Sequence, residues 1–151
     1  MRVQRRLSLE VAAALVAVAL GAASCQTLAG SGQSGAALAD SKTKLSESRA
    51  AMDRAVQAGD LQAVGTAMHS IGEQFDTVES KSSAMNLMDR ENMAIQIATG
   101  RRTISETERW IQSNDAEAVR SQVAQLDPIL DNVDGLLDRA VKSSVPADGT
   151  Q

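Results

Sequence analysis

Aromatic residues are almost missing from this chain. Phe75 and Trp110 are the only two, and there is no tyrosine. Base stacking and strand-binding platforms depend on aromatic faces, so nucleic-acid and sugar-platform readings lose their usual support. Cations are also in the minority, 15 Lys and Arg against 19 Asp and Glu. A mixed, net acidic chain lacks the clustered Lys and Arg that nucleic acid requires. Histidine occurs once, as His69. A Ser–His catalytic pair would have to use it, yet it falls beside the apolar stripe of its helix. Metal sites in helical bundles use Glu-x-x-His pairs. Here Thr66 stands three before His69, and Glu73 stands four after it on the same outer flank. The expectation is therefore a non-enzymatic chain with no catalytic residue, no metal ligand set and no cofactor.

Cysteine occurs once, as Cys25, so no disulfide can form within the chain. Before it come Arg2, Arg5 and Arg6, then ten unbroken apolar residues (VAAALVAVAL, 11–20), then Gly21, Ala22, Ala23 and Ser24. A basic start, a short apolar run and a small-residue end make an export signal. Ten residues are too few for a bilayer-spanning helix, which needs about 20. The GAASCQ stretch resembles the lipobox of bacterial lipoproteins. The resemblance covers residues 1–25. It implies cleavage after Ser24, lipidation of Cys25, and a new N-terminus anchored by acyl chains. Two or more chains give stable anchoring where one is marginal. Gln26 is not the aspartate that retains many such proteins in the inner membrane, so the resemblance implies an outer-membrane address facing the periplasm. Removal of residues 1–24 leaves 127 residues with a net charge of −6.

Residues 26–39 (QTLAGSGQSGAALA) are uncharged and rich in Gly, Ser and Ala. They read as a flexible tether with an end-to-end distance of roughly 20 Å. Residues 143–151 (SSVPADGTQ) read as a disordered tail. Between them, 40–142, the apolar period is helical. Leu61, Val64, Met68, Ile71, Phe75 and Val78 alternate three- and four-residue steps, the seam of a bundle helix. Asp60 can cap it after Gly59. Gly65 and Gly72 flank the seam and predict close approach of a neighbour. Val119, Val123, Leu126, Leu130, Val133, Leu137 and Ala140 form a fourth seam, widened by Ile129, Leu136 and Val141. Asn114 or Asp115 caps that helix, and it continues in phase past Pro128 with a kink. The third helix reads from Ala84 to Ser113 on Met93, Ile97, Gly100, Ile104, Thr107 and Ile111, supported by Ala94 and Ala98. The first, 40–58, has a thin seam of Leu45, Ser48, Met52 and Ala55, which predicts a weakly held helix. Met85, Leu87 and Met88 read as a plug for the tether end of the bundle.

Short turns at 58–60 and 113–115 join antiparallel neighbours. The predicted fold is all-α, an up-down-up-down four-helix bundle after a signal peptide and tether. Its turns, VQAGDLQAV and QSNDAEAVRSQV, are similar in style to those of small periplasmic b-type cytochrome bundles. Those proteins hold iron with a Met early in the first helix and a His late in the fourth. Here Met52 is late and Asp138–Lys142 contains no His. The resemblance thus implies the fold without the haem. The resulting expectation is a lipid-anchored accessory or scaffold that binds another envelope protein and no nucleic acid. The alternative is a bundle that holds haem or a hydrophobic small molecule between its helices.

Overall fold

The computed structural model describes residues 30–144. Four helices follow in order: α1 (Gly30–Ala58), α2 (Leu61–Lys81), α3 (Leu87–Gln112) and α4 (Ala116–Ser144), with a 3-10 turn at Ser82–Ala84 between α2 and α3. They form an up-down bundle in which α1 packs on α2 and α4, and α3 packs on the same two. The expected signal segment, Cys25 and residues 145–151 lie outside the described residues.

Both hairpin turns use one device. Gly59 (φ 71°) and Asn114 (φ 57°) adopt the left-handed conformation just past a helix end. The next amide then reaches back to close the turn: Asp60 N–H donates to the Ala55 carbonyl at 2.9 Å, and Asp115 N–H to that of Trp110 at 3.0 Å. This is the Schellman arrangement. The same aspartates cap the following helices, Asp60 accepting from Ala63 N–H at 3.0 Å and Asp115 from Ala118 N–H at 2.9 Å. Each cap satisfies a donor left free by the helix start. Of the two residues considered as the cap of α4, Asp115 holds the position and Asn114 makes the turn.

The core follows the seams. Val64, Met68, Ile71, Phe75 and Val78 of α2 are buried, as are all seven seam residues of α4 together with Ile129 and Leu136. Met52, Met68 and Met93 are fully enclosed, the usual place of methionine as a core filler. Helix α4 runs through Pro128 as one element. Proline removes a donor to the carbonyl four residues earlier. That carbonyl belongs to Ala124, an exposed position, where water can replace the lost donor.

Five expectations need correction. The tail does not begin at residue 143, because Ser143 and Ser144 belong to α4. The tether ends earlier than residue 39, because α1 begins at Gly30. Leu38, only 1 % exposed, supplies a core anchor before the predicted start, and a Cβ on Gly35 would collide with the Ser144 side chain. Packing thus overrides the low helix propensity of the Gly-rich stretch. The third helix starts at Leu87 rather than Ala84, since Asn86 caps it by accepting from Asp89 N–H at 3.0 Å. Ala94 and Ala98 are exposed, and Thr103 occupies the core in their stead. Thr103 and Thr107 satisfy their hydroxyls on the carbonyls of Thr99 and Thr103 one turn back. Finally, Gly72 has nothing within 4 Å of where a Cβ would sit, and Gly65 only an ordinary contact with Ile111. The close approach is at Gly100, where a Cβ would stand 2.5 Å from Phe75 Cε2.

Even with Leu38 added, the seam of α1 contains Ser41 and Ser48 beside Leu45, Met52 and Ala55. Ser48 is matched by Ser70 of α2 at 2.9 Å between hydroxyls. Fewer apolar residues are buried along α1 than along α2 or α4, and burial is the main term holding such helices. In amide hydrogen exchange, residues 42–57 are expected to exchange before 61–78 and 119–140. Equal protection along all four helices would refute this order.

Candidate functional site

The charged residues come first, because several of them pair across helices. Lys42 of α1 pairs with Asp138 of α4 and lies 3.6 Å from Asp134. Two turns along, Arg49 reaches Asp127 at 3.0 Å and Asp131 at 2.5 Å. Arg101 of α3 joins Asp76 and Glu79 of α2, at 2.5 and 2.7 Å. Arg139 of α4 binds Asp89 of α3 at 2.9 Å. These partly exposed pairs contribute little stability singly, but their placement specifies which helices lie side by side. Their charge is committed to packing, although Lys42, Arg49 and Asp134 also line a groove between α1 and α4 with Leu45, Ser46 and Leu130.

The pairing depresses two carboxylates. Arg139 and then Asn86 hydrogen-bond Asp89 and hold it below its ordinary value of 3.8. Lys42 does the same for Asp138. A depressed group favours the folded state once ionised, so its contribution is full above pH 3.8 or so and is lost as pH falls through the lower folded value. The melting temperature is therefore expected to drop between pH 5 and pH 2.5. Asp89→Asn should flatten part of that drop, and an identical acid profile for the variant would contradict the assignment.

His69 is 76 % exposed, with Glu73 3.6 Å away. Among the described residues, no three His, Cys, Asp or Glu side chains group as metal ligands would. The interior between α2 and α3 is occupied by the Phe75 ring against Gly100.

Of the exposed large apolar side chains among the described residues, Ile95 stands alone along α3 and the other three are at the two ends. At the far end, near the α3–α4 turn, Trp110 is 41 % exposed. It borders a groove with Glu106, Arg109, Ser113 and Gln122. The Oε1 atom of Gln122 is buried there without a hydrogen-bond partner. A buried acceptor left unpaired is costly and uncommon. Sequence reading passed over Trp110, although its phase was available: it sits one position off the seam residue Ile111. At the other end, the predicted plug is only partly formed. Met85 is buried, but Leu87 and Met88 are 58 % and 66 % exposed. The cap at Asn86 turns them outward at the start of α3.

The described residues thus define an all-α, up-and-down four-helix bundle with cross-helix ion pairs and a tryptophan-bearing groove. No protein-family model, curated protein or solved structure matches the chain.

Proposed function

We propose that this chain is a lipid-anchored bacterial envelope protein whose bundle serves as a non-enzymatic accessory or scaffold for another envelope protein. The anchoring half rests on sequence: three arginines, a ten-residue apolar run and small residues leading to Cys25. No helix among the described residues is long and apolar enough to cross a membrane. The binding half rests on one observation, the exposed Trp110 beside the unpartnered oxygen of Gln122. Tryptophan and arginine dominate the energetic centres of protein interfaces, and Arg109 adjoins Trp110 in the same groove. A partner that offers an apolar contact for Trp110 and an acceptor for Arg109 fits the groove's chemistry.

Two substitutions test the two halves separately. Cys25→Ser is expected to leave an uncleaved precursor that takes up no labelled palmitate; unchanged labelling would refute the anchor. Trp110→Ala is expected to leave the thermal melt nearly unchanged and to weaken the envelope-protein crosslinks about tenfold, the equivalent of about 1.4 kcal/mol. Crosslinks that survive this change at full yield would exclude the groove as the binding surface.

A further inference from the structure

The exposed apolar residues at the near end have their own geometry. Gly35 of α1 meets Ser144 of α4. Lys42 pairs with Asp138, and Arg139 with Asp89. These contacts put the start of α1, the end of α4 and the start of α3 at one end of the bundle. Leu87 and Met88 project from that end, each more than half exposed. At the same end, Lys81 ends α2, Arg90 lies in the first turn of α3 and Lys142 in the last turn of α4, all exposed and without a salt bridge among the described residues. Glu91 is the one nearby acid in the same condition. Two exposed apolar side chains at an end that also carries three cations free of salt bridges match a bilayer interface, where apolar groups enter the acyl boundary and Lys or Arg meets anionic headgroups.

Chain length makes the same demand. Only five residue steps separate Cys25 from Gly30, the first residue of α1. Five extended residues reach at most about 18 Å. An acyl group on Cys25 therefore keeps the near end of the bundle at the membrane surface. The far end is remote: Met88 and Trp110 are 22 residues apart on α3, about 33 Å along a helix.

We infer that the near end of the bundle seats Leu87 and Met88 in the bilayer interface and holds the Trp110 groove away from the membrane. The inference rests on the lipid-anchor reading of Cys25. It goes beyond that reading, because a leashed domain has no fixed orientation without a second contact.

The chain carries its own reference probe, since Trp110 is the single tryptophan. The full acylated chain is reconstituted in phosphatidylethanolamine–phosphatidylglycerol vesicles containing a lipid brominated near the headgroup. Native Trp110 should keep its fluorescence. A Trp110→Phe chain that also carries Met88→Trp should be blue-shifted and lose most of its intensity to the bromines. Leu87→Trp in the same background provides an independent second position. Palmitate labelling of each sample separates the two levels of the argument. Labelled, vesicle-bound chains whose residue-87 and residue-88 probes are as unquenched as Trp110 overturn the orientation and leave the anchor intact. Chains that take up no label overturn both. Photocrosslinking from position 88 in cells that yields a protein adduct rather than lipid also overturns the orientation.

Discussion

Phe75→Ala is expected to destabilise the bundle by about 3–5 kcal/mol, the usual cost of deleting a buried aromatic ring. Phe75 is fully enclosed. It is also the only aromatic residue in the core, so no neighbouring ring can shift into the space. Its ring lies against the backbone of α3 at Gly100, where no side chain exists to swing inward. Such a site collapses poorly, and the cost of a large-to-small change rises with the cavity that remains. Against a total of about 5–15 kcal/mol for a typical domain, the loss is large enough to unfold much of the population on mild heating. His69→Ala, six residues before and on the outer flank, is expected to stay within about 0.5 kcal/mol. Denaturant melts followed by circular dichroism give the ranking. If His69→Ala proved the more damaging, the phase assigned to α2 would be wrong.

Why some of this architecture can be read from sequence follows from where each signal resides. The seams of α2 and α4 are legible because apolar residues recur at alternating three- and four-residue steps over five or more turns. Asp60 and Asp115 are legible because a capping aspartate acts on its own helix, three residues ahead. Asn86 works the same way, but Met85 and Leu87 on either side made an apolar helix start look continuous. The start of α1 depends on Leu38 reaching a core made by other helices, which its Gly-rich surroundings conceal. The same is true of the functional surfaces. Leu87 and Met88 look like core residues by composition, and only the chain direction set by Asn86 leaves them outside. Trp110 could have been placed off the seam by counting, whereas the unpartnered Gln122 oxygen depends on the packing of α3 against α4 and leaves no mark in the sequence.

The glycines separate local from tertiary information most sharply, and they allow a test with opposite signs. All of Gly65, Gly72 and Gly100 cost helix propensity, about 1 kcal/mol each relative to alanine. Sequence alone offers no means to say which of them is repaid by packing. At Gly72 a Cβ meets nothing within 4 Å, so Gly72→Ala is expected to stabilise the chain by about 0.5–1 kcal/mol. At Gly100 the added carbon would stand 2.5 and 2.9 Å from Phe75 Cε2 and Cζ, with Ile129 Cγ2 at 3.5 Å. Phe75 cannot retreat, because it is enclosed on every side. Gly100→Val should therefore cost about 3 kcal/mol, at the upper end of ordinary overpacking, and Gly100→Ala somewhat less because it regains helix propensity. The cause can be isolated with Phe75→Leu, which withdraws the ring edge. If the ring is the obstacle, Gly100→Val should be at least about 1 kcal/mol less damaging in the Phe75→Leu background than alone, a coupling expected only between residues in contact. Additive effects of the two substitutions would mean that Gly100 is required for some reason other than the approach of α2 to α3.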